Sequence, residues 1–191
     1  MNSALRTSRR VSDFRRCEFI RTRTANTKGR SACSVSAVAL RRMTYDDLRR
    51  GRHSAPNQTY YVTIVTAGRL RHFADFDIAR AAIIEMRRLS DHRILDSFAW
   101  VLMPDHLHWL FQLLESQDLA TAVKTFKARS ARTISRKLGR RGALWQPGYY
   151  DHAVRRDEDL LAIARYIVAN PLRAGLVESL GDYPLWDAIW L

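Results

Sequence analysis

The stretch VLMPDHLHWLFQL, residues 101–113, constrains the fold of this chain more than any other segment. It is an apolar run interrupted by two histidines one residue apart. Successive side chains of a β-strand point to opposite faces. Leu107, Trp109, Phe111 and Leu113 therefore form one complete core face, and His106, His108, Leu110 and Gln112 form the other. A strand of this kind needs cover on its aromatic side, and it turns two imidazoles in the same direction on its second side.

The neighbouring segments supply a setting for that strand. TYYVTIVT (59–66) is β-branched and aromatic, which favours a strand. DFDIARAAIIEMRRL (75–89) places Ile78, Ala82, Ile83 and Met86 at helical spacing. ILDSFAWVLM (94–103) reads as a second strand, and Pro104-Asp105 makes a tight turn into the His-Leu-His strand. Residues 116–138 read as a long helix with Leu119, Val123 and Phe126 inward and Gly139 as its stop. GYYDHAVR (148–155) reads as a fourth strand. Residues 157–170 read as a helix with acids in its first turn, ended by Pro171. The order is β-α-β-β-α-β-α. It predicts an α+β fold, a ferredoxin-like split β-α-β antiparallel sheet with the His-x-His motif on a central strand and a C-terminal helix bearing Tyr166.

Charge separates the first 42 residues from the rest. The 191-residue chain carries 32 Lys and Arg against 19 Asp and Glu. Residues 1–42 hold 11 of the cations and two of the acids, a net of +9, which leaves +4 for residues 43–191. This leading segment has no sustained period and is rich in Arg, Ser and Thr, so it reads as a basic, disordered leader, with a true start near Met43 as the favoured explanation. Residues 43–191 are read as one domain. Both cysteines, Cys17 and Cys33, fall in the leader, which argues against a disulfide scaffold or a cysteine-based zinc site and fits a reducing cytoplasm. No apolar run approaches the length of a membrane-spanning helix.

Three groups of residues carry candidate chemistry. Neutral imidazoles two residues apart on a strand face can jointly hold a divalent cation, although a solvent-facing strand can carry two histidines with no such role. Tyr166 and Asn170 are four apart on a helix and share a side. The amide oxygen of Asn170 is an acceptable hard ligand beside imidazoles, and the Tyr166 hydroxyl becomes a nucleophile when a cation polarises its target. The ordinary reading is a tyrosine at a core margin and an asparagine closing a helix. The third group is cationic: Lys124, Lys127, Arg129, Arg132, Arg136, Lys137, Arg140 and Arg141 lie within 119–150, where no acid occurs. Trp145, Tyr149 and Tyr150 follow. Cations that track phosphates, together with rings that stack on bases, suit single-stranded nucleic acid. His152 reads equally as a third ligand, a phosphate contact or a structural histidine.

Taken together these residues resemble the single-tyrosine HUH transposases, and among them the REP-associated tyrosine transposases. MTYDDLRRGRHSAPNQTYYVTIVT is similar to the opening of that group, MPDHLHWL to its histidine–hydrophobic–histidine strand, WQPGYYDHAVR to its mid-domain segment and YIVANPLRAGLV to its tyrosine helix and exit. The chain departs from the pattern at Asp105, where Asn or Glu is common, and in the tail YPLWDAIWL. The resemblance implies that His106, His108 and Asn170 hold Mg²⁺ or Mn²⁺. It implies that Tyr166 attacks a phosphate of single-stranded DNA to leave a 5′-phosphotyrosine and a free 3′-OH, next to a hairpin formed by a palindromic repeat. Contacts to that DNA are expected from Lys124, Lys127, Arg129, Arg132, Arg136, Arg140, Arg141, Trp145, Tyr149 and His152. A monomer or homodimer acting in the bacterial cytoplasm, at the nucleoid, completes the expectation. Two other classes share some of these features: a hairpin-binding protein that has lost cleavage, and a histidine phosphoesterase. The second requires a further near histidine or an H-x-Thr/Ser element, and the sequence has neither.

Overall fold

The computed structural model describes residues 54–114, 118–156 and 158–191. The leader expected at 1–42 and the domain start near Met43 lie outside these residues. Five strands form one sheet: β1 (Thr59–Val65), β2 (Leu95–Met103), β3 (His106–Leu113), β4 (Tyr150–Ala153) and β5 (Trp186–Ala188). Their order is β4-β1-β3-β2-β5, and every pairing is antiparallel. The helices are α1 (Phe76–Asp91), α2 (Leu119–Leu138), α3 (Leu160–Val168) and the single turn α4 (Asn170–Arg173). This is the split β-α-β plan, with the His-Leu-His strand in the centre and one additional edge strand.

The two faces of β3 meet different partners. Register places Tyr60, Val62 and Ile64 of β1 and Leu102 of β2 beside Leu107, Trp109 and Phe111, all buried. Trp109 packs on Phe111 and on Phe126 of α2, with ring centroids 4.8 and 5.5 Å apart, and its indole N–H donates to Ser97 Oγ at 2.9 Å. Phe126 continues into Trp145 and Phe73. The opposite face carries Tyr61, Thr63, Ala99, Val101, Met103, His106, His108 and Leu110, with Tyr150 and His152 in register on β4. Against β2 and β3 lies α3. This arrangement buries Leu110 completely while His106 stays partly open at the strand's start.

Helix ends follow local chemistry, with two differences from the expectation. Aspartates cap all three long helices: Asp75, Asp118 and Asp159 each accept from backbone N–H groups of the first turn. For α3 the acids therefore precede the helix rather than occupy its first turn. Gly139 ends α2 in the left-handed region at φ 58°. Pro171 does not end the last helix. The chain breaks at Ala169 instead, and Pro171 lies in the first turn of α4, where its missing N–H costs nothing. The strand β5 was not anticipated. Trp186–Ala188 pairs with Val101, Trp100 and Ala99, and the Tyr183 hydroxyl donates to the Leu102 carbonyl at 2.7 Å, so the tail closes the β2 edge of the sheet.

Between α1 and α2, Glu85 is buried with its carboxylate 2.6 Å from Arg88 Nη1, 3.2 Å from Thr133 Oγ1 and 3.6 Å from Arg129 Nε. Trp145 is 5% exposed and donates from its indole to the buried Ser130 Oγ at 2.9 Å. Replacing it with alanine removes two ring contacts and this bond, and should cost about 3–5 kcal/mol. Urea unfolding monitored by circular dichroism should read this as a large fall in midpoint. A midpoint near wild type would mean that the indole is not a core element.

Candidate active site

The site is built where β3 leaves the Pro104-Asp105 turn. His106 Nε2 and His108 Nε2 face each other 3.1 Å apart, with the rings nearly perpendicular. Each ring is held from behind. Asp105 Oδ1 lies 2.5 Å from His106 Nδ1, so the Nδ1–H is donated to a carboxylate and the lone pair is left on Nε2. Asp105 is fixed in turn by Arg69 Nη1 at 3.1 Å and by the backbone bond from Thr66 N to its carbonyl. Arg69 sits at φ 52°, just after Gly68 at φ 64°, so a left-handed turn brings its side chain back to the strand end.

His108 is held across the sheet. Its Nδ1 lies 2.7 Å from the Tyr61 hydroxyl and 3.0 Å from Thr63 Oγ1, and the Tyr61 ring stacks on the imidazole at 5.7 Å. Both hydroxyl oxygens can accept a hydrogen bond from an Nδ1–H. In that tautomer the two Nε2 lone pairs converge; in the other, Nε2–H of His108 donates to His106. Burial first, then electrostatic interaction with the neighbouring His106 and with the Arg173 guanidinium, hold the His108 pKa well below its ordinary 6.5. Burial raises the Asp105 pKa, but its hydrogen bonds and charge pairing with His106 and Arg69 outweigh that and leave it below the usual value.

Tyr166 and Asn170 are four residues apart, on α3 and at the start of α4 respectively, against the same sheet region. Arg173 joins them. Its guanidinium lies over the Tyr166 ring at 3.9 Å, donates through Nη1 to the Tyr166 carbonyl at 2.8 Å and through Nη2 to Asn170 Oδ1 at 2.5 Å. The Asn170 amide nitrogen donates to the Ile167 carbonyl at 2.8 Å, so its oxygen is the end that can turn outward. Among the described residues no three His, Cys, Asp or Glu side chains converge as a cation site. A cation held by the imidazole pair would need a third donor of another kind, and the amide oxygen of Asn170 is chemically suited to that place. Cis positions of an octahedron with bonds of about 2.1 Å lie about 3 Å apart. The two facing nitrogens match that separation.

The family model of IS200-like transposases matches residues 54–170. The chain belongs to the IS200-like transposase family. Within that family it is similar to an Escherichia coli K12 protein named REP-associated tyrosine transposase, 29% identical over 110 residues that cover 57% of this chain and 62% of the relative. The chain thus spans somewhat less than two thirds of that relative. A Haemophilus influenzae protein provisionally named a REP-associated tyrosine transposase is 28% identical over 135 residues, 65% of this chain and 76% of the relative. The solved structure of a REP-associated tyrosine transposase bound to a REP hairpin superposes with a TM-score of 0.57 at 26% identity, covering 71% of this chain and 79% of that one. This transposase is accordingly an enzyme with the family's antiparallel α+β architecture. Among the described residues no helix is long and apolar enough to cross a membrane.

The expected DNA contacts of the transposase divide into two groups. Lys124, Arg132, Arg136 and Arg141 are exposed along α2 and the loop after it. Tyr149, with Thr121 and Lys124, lines an open groove of about 760 Å³ beside that helix. Others have structural partners. The ammonium of Lys127 donates to the carbonyls of Gln146, Pro147 and Gly148 at 2.5, 3.1 and 3.2 Å, and burial lowers its pKa. Arg129 faces Glu85, Arg140 donates to His72 Nε2 at 2.8 Å, and His152 pairs with Glu158 at 2.9 Å. The Trp145 indole is in the core, so it is not available to stack on a base. Sequence reading singled out neither Arg173 nor the pair Tyr61 and Thr63, because each acts through a contact made only in the fold.

The depressed pKa of His108 has a consequence for stability. The unfolded chain protonates this imidazole near 6.5, whereas the folded chain does so only at much lower pH. Below 6.5 the unfolded state binds more protons, and stability falls as the solution is acidified. Asp105 acts in the same direction at lower pH: its contribution is present above 3.8 and lost as pH falls through its folded value. The urea midpoint should therefore drop between about pH 7 and pH 5, and His108→Gln should flatten that part of the curve. A His108→Gln variant with the full acid sensitivity would assign it to another group.

Proposed function

We propose that the transposase is a metal-dependent single-strand DNA endonuclease and strand transferase that recognises hairpin DNA and cleaves through a covalent 5′-phosphotyrosine at Tyr166. The observation that carries this reading is the opposed Nε2 pair of His106 and His108 on the sheet face that α3 covers, where Arg173 of α4 contacts both Tyr166 of α3 and Asn170 of α4. A REP hairpin is the ligand of the similar solved structure, which supports the same class of DNA for this chain.

In this reading His106, His108 and Asn170 hold Mg²⁺ or Mn²⁺. When bound, the ion supplies Lewis-acid polarisation of the scissile phosphate. The protein's own groups do the rest. Asp105 keeps the His106 proton on Nδ1, and Tyr61 and Thr63 orient His108, so both nitrogens point at one place. The Tyr166 oxygen attacks phosphorus, forming the Tyr–O–P bond as the P–O3′ bond breaks. The tyrosine gives up its proton and the leaving 3′ oxygen takes one up. One phosphodiester replaces another, so a 3′-OH can reverse the step or join a new end. Lys124, Arg132, Arg136 and Arg141, with Tyr149 in the adjacent groove, suit the phosphates and bases of the hairpin and its flank.

Tyr166→Phe should eliminate cleavage of hairpin-bearing single-stranded DNA and leave binding within about twofold, because only the nucleophilic oxygen is lost. Electrophoretic cleavage and fluorescence-anisotropy titrations at one salt concentration measure both. Cleavage by the Phe variant would reject the nucleophile. Asp105→Asn preserves shape but removes the carboxylate behind His106, and should weaken Mn²⁺ binding by about 10- to 100-fold. Titration calorimetry reads this directly, and an unchanged affinity would remove Asp105 from the metal-supporting set.

A further inference from the structure

Arg173 makes more specific contacts than an exposed helix-end arginine needs. It covers the Tyr166 ring, bonds the Tyr166 carbonyl and takes the Asn170 side-chain oxygen, and its charge reaches His108. The fork of the guanidinium makes this possible, since one nitrogen serves the helix backbone while the other serves the amide. The consequence lies at Asn170 Oδ1. That oxygen is the third ligand in the function proposed above, and it is already the acceptor of a cationic donor at 2.5 Å. A divalent ion on the same oxygen would stand close to the guanidinium, and two cations so placed repel each other. The amide nitrogen is fixed to the Ile167 carbonyl, so a simple exchange of amide ends does not relieve the conflict.

We propose that Arg173 is a positioning residue that competes with the metal ion for Asn170 Oδ1 and thereby sets the affinity of the site for the ion. With the oxygen held by Arg173, the guanidinium remains clamped over Tyr166. When the oxygen turns to the ion, Nη2 is released while the stack on Tyr166 and the bond to its carbonyl can persist. The affinity for the ion is then governed by a contact within α3 and α4. The proposal rests on the metal reading of His106, His108 and Asn170.

The two ideas separate in one experiment on the full chain. Mn²⁺ binding is followed by the loss of the free-ion EPR signal for the wild type, Arg173→Gln, Asn170→Ala, the double variant and His108→Ala, with thermal unfolding to verify that each is folded. Arg173→Gln should bind Mn²⁺ more tightly, by about tenfold, within the usual range of coupling between sites. The gain should vanish when Asn170 is already alanine, and His108→Ala should lose the site. A structural role for Arg173 alone would loosen the helix and weaken binding, the opposite sign. Unchanged or weaker binding by folded Arg173→Gln, or a gain that persists without Asn170, would overturn the competition and leave the metal reading standing. Wild-type binding that His108→Ala does not diminish would sink both.

Discussion

The site depends on β3 being hydrogen-bonded on both sides. With β1 on one flank and β2 on the other, the strand can neither slip nor twist independently, and a shift of one residue would send both histidines into the aromatic core. The aromatic face fixes the register: Trp109 and Phe111 are packed against Phe126 of α2 and beside Tyr60 of β1, and they have no alternative place to go. Burial of one face thus sets the geometry of the other. Two imidazoles two residues apart on one face of that strand come to oppose their Nε2 atoms at 3.1 Å, with Asp105, Tyr61 and Thr63 holding the rings from behind.

Around that pair the chain places groups from several other elements. Asp105 and Arg69 come from turns that leave β1 and enter β3, and they tune His106 from the rear. Tyr61 and Thr63 reach His108 across the β1 ladder. Tyr166 and Asn170 arrive on a helix whose continuity is broken at Ala169, between them, so the asparagine belongs to a separate turn. Arg173 joins the last two, lying over the tyrosine ring and bonding the asparagine side chain.

Much of this was legible in the sequence because it rests on local rules. Strand alternation gave the two faces of β3, helical spacing gave the buried sides of α1 and α2, and Gly139 marked the end of α2. The i, i+4 relation of Tyr166 and Asn170 identified a shared side. What was not legible depends on long-range contacts. Nothing local marks WDA as a strand until the β2 edge is there to pair with it. A run of cations without acids does not reveal that Lys127 ties down a loop, or that Arg129 and Arg140 answer Glu85 and His72. Trp145 looked like a stacking platform because an aromatic after a basic helix has the same appearance in sequence whether it faces a base or Phe126.

In the proposed function Tyr166 becomes covalently joined to DNA through its side-chain oxygen. The protein would be mixed with Mn²⁺ and hairpin-bearing single-stranded DNA, denatured, and digested with trypsin and nuclease for mass spectrometric mapping. Cleavage after Arg165 and Arg173 isolates the peptide running from Tyr166 to Arg173, which contains no other tyrosine. The account predicts a phosphonucleotide on that peptide, located on Tyr166. A phosphonucleotide on the peptide holding Tyr149 and Tyr150, or cleaved DNA with no modified peptide at all, would contradict it.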